Sequence, residues 1–565
     1  MYRQFLFRLR VTAVALTTGA LAPVTAFGQV GPIASFGEIT AQAAAAPAEP
    51  IRRLTIDDAV KLALEQNLGI QIERLNPQIQ DVAVAQARSF WSPQFGTSVT
   101  NQSLNTPAPT TISSGLSTIT GATFATSVGV NQVLPTGASY SFGWNGSRAT
   151  SNSIYNNFDP QLQSSVSLNV TQPLLRNFKI DAIRQQVEVS RKQRGSADVQ
   201  LHTTIVQTTS LVKNMYWELT FQINNLAAQR QSLELAQQLL KDNERRVQIG
   251  TLAPIDVVDA QLEVARNEES VIVAGAAIKQ AEDQLRALIF DSAMPDFWSI
   301  SIEPADIAPF RAEAVDVDAA VRNALDKRTD LQQAKNSLAQ SDVSIRYFRN
   351  QILPDVSAIA SYSSYSVGGV PLTQAGSIPV GQVDQPILVQ PQRSFGSVLG
   401  DVLTNAYPTW TVGVSVAYPL GTSTQQTNLA RAKLQYAQAQ KQLKSLELQV
   451  AIQVRDAART VQTNQKRVET AGATRALAEK RLDAEQKKFA AGIETPFFVF
   501  QAQRDLATAR TNEVLAISDY NKSRVSLEAV QEVSSAGGGP LTGGPVTSAA
   551  AGAIQTGTAI VRQSQ

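Results

Sequence analysis

Every seventh residue from Ile205 is apolar: Ile205, Val212, Leu219, Leu226, Leu233, Leu240 and Val247. After a break the stripe resumes at Val257, Val264, Val271, Ile278 and Leu285. A strict seven-residue period predicts helices that supercoil slightly and pack knobs-into-holes against their neighbours. The helix expected from Ala182 to Ile249 runs roughly 100 Å at the α-helical rise. Shorter helices are expected from Leu68 to Trp91 and from Pro254 to Ile289. Stacked end to end they roughly match the long one, as a wall of constant height requires.

Elsewhere the period falls to two. Trp410, Val412, Val414, Val416 and Tyr418 alternate with Thr411, Gly413, Ser415 and Ala417, which predicts a strand with one apolar face. Aromatics close both ends of that face, about 20 Å apart along a bilayer normal after a ~40° tilt, so Trp410 and Tyr418 are candidates for an aromatic girdle. Val166, Leu168 and Val170 alternate in the same way; Phe95, Thr97 and Val99 do so more weakly, as do Val356, Ala358, Ala360 and Tyr362. Phe124 to Trp144 reads as an extra hairpin turning at Pro135-Thr136-Gly137, either joining a barrel or lying outside it. Val367 to Asn405 reads as a Gly/Pro/Gln-rich loop.

The pattern occurs twice. A shift of 261 (354 − 93) lays Leu54–Leu64 over Val315–Leu325 and Pro93 over Pro354. A shift of 242 (492 − 250) lays Gly250 over Gly492 and Pro254 over Pro496. The stripe survives the second shift except at Glu447, Arg475 and Glu513. Two tandem structural repeats are expected, residues 54–290 and 315–533, joined by a linker at 291–314.

Arg3, Arg8 and Arg10 precede an apolar run from Val11 to Val24, and Ala26-Phe27-Gly28 offers a cleavage site; residues 1–28 read as a signal peptide. An Ala/Pro-rich linker (29–53) follows, and a Gly/Ser/Ala-rich tail (534–565) reads as disordered. Removing three arginines takes the formal charge from +2 to −1, which gives no electrostatic case for nucleic acid. The chain has no Cys, and its one histidine, His202, has no second His to pair with. Gly537-Gly538-Gly539 lacks the Lys-Ser/Thr of a phosphate loop. Neither an enzyme nor a cofactor or metal site is expected. Beyond the leader nothing is apolar enough for a membrane helix, so an exported chain of this kind is soluble or crosses an outer membrane as strands. The strands are too few to close a barrel alone, so several chains would share one.

Leu54-Thr55-Ile56-Asp57-Asp58-Ala59-Val60 with Asn67, Pro93 before the first strand, Gln172-Pro173-Leu174, Tyr418-Pro419-Leu420 and Gly250–Ala260 together resemble the TolC-like outer membrane efflux proteins, over residues 54 to 530. The resemblance implies a mixed α/β membrane protein, a homotrimer whose single transmembrane β-barrel continues into a long periplasmic α-helical barrel. It implies a place in the outer membrane, in contact with its lipid, with most of the chain periplasmic. It further implies passive export of small molecules or secreted proteins, with a periplasmic adaptor and an inner-membrane pump (RND or ABC type) as partners. In the family, acidic residues after the second helix turn line the constriction. The matching positions here are Phe498 and Gln501, whereas the first turn carries Asp256 and Asp259. These four are the candidate tunnel-tip gate, with Arg245 and Arg246 as candidate partners of the acids. Gly250, Thr251, Leu252, Gly492, Ile493 and Glu494 are expected to dock the adaptor. The rival reading is a structural or adhesive coiled-coil stalk with a small barrel anchor. A stalk has no need to turn back at Gly250 and Gly492.

Overall fold

The computed structural model describes residues 51–107, 118–152, 157–294, 297–306, 312, 314–372, 391–421 and 423–534. The expected signal peptide, the linker up to residue 50, and the tail from residue 535 lie outside the described residues. So do parts of the 291–314 linker and residues 373–390 of the expected loop. In chain order the elements are β1 (Ile51–Leu54), α1 (Ile56–Gln66), α2 (Leu68–Ser89), β2 (Gln94–Pro107), β3 (Thr118–Val133), β4 (Ser139–Ser151) and β5 (Phe158–Pro173). There follow α3 (Ala182–Gln248), α4 (Pro254–Ile289), β6 (Ser301–Pro304), α5 (Val317–Lys327), α6 (Thr329–Gln351) and β7 (Asp355–Pro371). The last are α7 (Phe395–Leu403), β8 (Pro408–Ala417), α8 (Thr424–Ala490) and α9 (Pro496–Val530).

The seven-residue stripe folds as expected. The helices α3 and α8 are each 67 residues long, and the shorter helices line them: α2 and α4 along α3, α6 and α9 along α8. Because α3 also packs on α6 and α9, the wall is four strips wide, in the order α2/α4, α3, α6/α9, α8. Val212 and Leu219 meet Leu285 and Ile289 in one core; Val454, Val461 and Val468 meet Tyr520 and Leu527 in another. Burial of these positions supplies the driving force that a long polar helix lacks alone. Of the three breaks in the second stripe, two face each other, Arg475 and Glu513 forming an ion pair at 2.7 Å. Capping is explicit: the Asp181 carboxylate accepts from the Arg184 N–H at 2.7 Å, and Ser423 with Gln426 forms a capping box at the start of α8.

At mid-height, β1 and β6 pair in parallel; β6 and all of β1 but Leu54 fall in segments that read as linkers in the sequence. Tyr216, fully buried in α3, explains their position. Its hydroxyl lies 3.0 Å from the Asp306 carboxylate and accepts from the Asp306 N–H at 3.1 Å. Asp306 also accepts from the Ile56 N–H at 2.7 Å, so one carboxylate fastens the start of α1 to the long helix. Burial pushes the Tyr216 phenol far above its ordinary range.

The other six strands form one antiparallel sheet, β2-β3-β4-β5-β7-β8. The hairpin left open by the sequence is β3–β4, and it stands inside the sheet between β2 and β5. Register shows why it belongs there. One lateral row reads Phe95, Val130, Phe142, Leu168, Tyr362, Trp410; the next reads Gln94, Asn131, Ser141, Asn169, Ser361, Thr411. In these rows one face is apolar and aromatic across all six strands and the other is polar; further along, the apolar side carries Arg148, between Phe124 and Leu162, and the polar side carries Asp355, opposite Ala417. Successive residues point to opposite faces, so the hairpin extends both faces without a break. Both edge strands are exposed along nearly their whole length, β8 at every residue. Their apolar side chains, Phe95, Val99, Trp410, Val412, Val414 and Val416, are among the most exposed large hydrophobics of the chain. An unprotected edge carrying such residues is unsuited to water.

The segment expected as a loop from Val367 to Asn405 instead begins as the last residues of β7, up to Pro371, and contains the helix α7. Ser394 caps it, and Val398 and Val402 seat it on β5 and β7 at the sheet end away from the long helices. There the apolar face turns to Ser164, Ser364 and Ser366, which α7 buries. Asp401 of α7 accepts from Ser366 at 2.8 Å and pairs with Arg393.

Candidate functional site: the two helix turns

Each hairpin of the wall reverses through a left-handed glycine, Gly250 at φ 77° and Gly492 at φ 72°. The Gly250 N–H donates to the Val247 carbonyl (3.0 Å) and the Thr251 N–H to that of Arg246 (2.8 Å). Likewise the Gly492 N–H donates to the Phe489 carbonyl (3.1 Å) and the Ile493 N–H to that of Lys488 (3.0 Å). This pattern satisfies carbonyls the helix end leaves free, and it needs a residue at ease with positive φ. A Cβ at either glycine would meet nothing within 4 Å, so backbone conformation, not space, selects glycine. Pro254 and Pro496 then start α4 and α9, where a missing N–H costs nothing.

The backbones match; the side chains do not. At the first turn Asp256 is half-buried and Asp259 exposed, and among the described residues neither carboxylate has a side-chain partner. Arg245 and Arg246, the expected partners, are engaged elsewhere. Arg245 lies 3.8 Å from Asp242. Arg246 reaches across to the end of α8, donates to the Phe489 carbonyl at 3.1 Å and stacks 4.2 Å from the Phe489 ring centroid. A cation is favoured there because helix C-terminal carbonyls and an aromatic face are both negative.

At the second turn Phe497 and Phe498 are exposed and meet edge to face, centroids 5.6 Å apart. Gln501 donates to Asp505 at 2.9 Å, and Asp505 also pairs with Arg481 at 2.8 Å. Lys488 bridges Glu485 (3.0 Å) and Glu494 (3.1 Å), linking the last turn of α8 to the loop. The hydrogen bond with Glu494, and then the Lys488 ammonium, hold Glu485 below the ordinary glutamate range. Beneath both turns Leu239, Ala260, Leu482, Phe489, Val499, Phe500 and Leu506 form a core that joins the two hairpins. Buried Glu263 of α4 takes Arg504 of α9 at 3.3 Å.

Sequence reasoning missed Arg246–Phe489, Lys488 with its two glutamates, and Glu263–Arg504. Only the Glu485–Lys488 spacing of three was visible locally. Among the described residues no group of His, Asp and Glu is arranged to hold a metal, and no helix is long and apolar enough to cross a membrane.

A six-stranded sheet, bare on its polar face and covered by α7 at one end of the other, adjoins a wall of hairpin-turned helices. Residues 59–289 and 320–531 both match the outer membrane efflux protein family, and the chain belongs to that family. Among solved structures it is similar to the outer membrane channel CmeC of Campylobacter jejuni, at 14% identity and TM-score 0.57, covering 84% of this chain and 85% of that one. It is similar to the outer membrane protein VceC of Vibrio cholerae at 15% and 0.58, covering 84% and 96%. For the open state of the Neisseria gonorrhoeae MtrE channel the values are 15% and 0.54, covering 85% and 89%. No curated protein sequence matches the chain.

Proposed function

We propose that three copies of the chain close one tube and that this tube is the outer-membrane duct of a tripartite export system. The observation that carries this reading is the sheet. Its apolar face suits lipid, its polar face suits a water-filled lumen, and its two bare edges must be paired before either face can sit in a bilayer. Edge-to-edge closure around three chains pairs every edge, with Trp410 and Tyr418 in the aromatic girdle. The chain then acts as two tandem copies of one wall unit, giving six units around the tube. The helical part extends through the periplasm, and its turns form the narrow end.

At that end Arg246 straps the first turn to the second, and Phe498 and Gln501 seal by packing rather than by charge. Asp256 and Asp259, unpartnered within the chain, hold the closed tip by bonds to a neighbouring chain. The residues Gly250–Leu252 and Gly492–Glu494 meet a periplasmic adaptor, which opens the tip by binding the open state more tightly. Energy comes from an inner-membrane pump. The duct itself performs no reaction.

The test is current through purified protein in a planar bilayer. Discrete conductance steps that grow when Asp256 and Asp259 are replaced by Ala support the reading. A protein that inserts without conducting is a stalk. Unchanged conductance in the Asp256→Ala/Asp259→Ala variant removes the acids from the gate.

A further inference from the structure

Where the sheet meets the helices, a pocket of about 710 Å³ opens between α3 and α6. Those are the two inner strips of the wall, so closure of a tube through α2/α4 and α8 leaves the pocket uncovered. It lies on the side of the apolar sheet face. Trp91 lines it, and the Trp91 carbonyl accepts at 2.7 Å from Gln132, which stands two residues beyond Val130 on that face. Tyr140, opposite Gln132 in the register, donates to the same side chain at 2.6 Å. Its level is that of Tyr418. Leu353, also in the lining, stands two residues before Asp355, which pairs with Ala417.

The lining is cationic and apolar at once. Arg184, Arg191 and Arg346 have their charges met by Asp181 (3.0 Å), Glu188 (2.9 Å) and Asp342 (3.1 Å). Lys179 and Arg349 are exposed and have no ion pair among the described residues. Two positive charges are therefore left uncompensated in one pocket. Trp91, Val187 and Leu353 supply its apolar part, and the buried Trp91 indole N–H has no acceptor among the described residues. Phe90 and Phe178, next in the chain to Trp91 and Lys179, are 53% and 47% exposed. A small inorganic anion would meet the charges and leave the apolar walls bare. A phospholipid satisfies both, its phosphate taking the cations and an acyl chain covering the indole and the leucine. Resting on the outer-membrane reading, we infer that the pocket holds one anionic phospholipid of the periplasm-facing leaflet per chain. Its phosphate sits on Lys179 and Arg349, and one acyl chain runs along Trp91, Val187 and Leu353. Held at the junction of sheet and helices, the lipid fixes the depth at which the duct stands in the membrane.

The test takes the full chain, purified and delipidated in detergent, and titrates it with phosphatidylglycerol or phosphatidylcholine while native mass spectrometry counts the bound lipids. One phosphatidylglycerol per chain is expected, with phosphatidylcholine at least about ten-fold weaker. In Lys179→Gln/Arg349→Gln the affinity for phosphatidylglycerol should fall about thirty-fold, or about five-fold for each cation. Lys466→Gln/Lys480→Gln removes the same charge from exposed positions of α8 and should bind as the wild type does. Equal retention of the two lipids, or undiminished affinity in the Lys179/Arg349 variant, would overturn the inference. Displacement of the lipid by inorganic phosphate would overturn it too, by showing a site for a free anion. Should the double variant misfold, Lys179→Gln alone, in the connection before α3, decides the question by its five-fold effect. Current in a planar bilayer separates this inference from the reading beneath it. A duct that conducts without selecting phosphatidylglycerol refutes the lipid site alone, whereas protein that neither inserts nor conducts refutes the outer-membrane reading and the lipid site with it.

Discussion

Replacing Arg246 with Met keeps the length of the side chain and removes its charge, and so isolates the strap between the two turns. The guanidinium makes two contacts at the end of α8: a hydrogen bond of 3.1 Å to the Phe489 carbonyl and a stacking contact of 4.2 Å on the Phe489 ring. Because the site is half-buried, the charged hydrogen bond is discounted to about 1 kcal/mol. The ring contact adds about 0.5–1 kcal/mol, and the favourable position at a helix C-terminus about 0.3–1 kcal/mol. The total is roughly 2 kcal/mol per chain, or about thirty-fold in the equilibrium between strapped and released turns. The strap crosses from the first hairpin to the second, so it is lost whenever the hairpins part. Arg246→Met should therefore raise the open fraction of single channels in a planar bilayer by at least ten-fold, and Phe489→Leu should have a smaller effect of the same sign. Arg246→Lys retains charge but not the planar stack and should fall between them. If Arg246→Met gates like the wild type, the two hairpins do not separate on opening, and the proposed gate is wrong.

Valine at Gly250 or Gly492 forces a positive φ on a β-branched residue at a cost of about 1–2 kcal/mol or more, and should abolish export while trimers still assemble; export at wild-type rate would move adaptor docking away from the turns. The Lys488 bridge should respond to pH. Glu485 is depressed below its ordinary value of 4.5, so its contribution is present above that value and fades as pH falls through the lower folded one. Lys488 is raised above 10.5, so its share holds below that value and is lost only in strong alkali. Hydrogen exchange over residues 485–494 should accelerate on acidification below about pH 4, and a Lys488→Met variant exchanging with unchanged pH dependence would contradict this. The Arg475–Glu513 pair, partly exposed, should show a coupling of about 0.5–1 kcal/mol in a double-mutant thermal-unfolding cycle. Leucine at both positions restores the apolar stripe and should not destabilise; a large loss would mean the pair does more than bridge the two helices.

The long helices were legible because their signal is local and repeated. The stripe from Ile205 to Val247 reports a buried face wherever the neighbour lies, and the expected bounds of α3 and α4 hold to within a residue. The strands β2, β5, β7 and β8 were legible for the same reason. The place of β3–β4 was not, because alternation records which residues share a face and says nothing of which strand lies alongside. Val130 and Phe142 join the row of Phe95 and Leu168 only once register is known. Helix α7 was hidden because nine residues within a Gly/Pro/Gln-rich stretch carry little more than two turns of pattern. At the turns, the glycine and proline pairs announced the backbone, while Arg246 gave no sign of Phe489, 243 positions away. Arg475 and Glu513 each looked like a defect in the stripe, and together they are a contact.

The central claim is that bare strand edges from three chains close one barrel. A cysteine at Ser98 on β2, combined in turn with one at Thr409, Thr411 or Ser415 on β8, places both thiols on the polar face of the two edges. Oxidation of the protein in its native membrane, followed by denaturing electrophoresis, should give for at least one pair a covalent ladder that ends at the trimer. Monomers at every pairing, or a ladder that runs on past three chains, would contradict it.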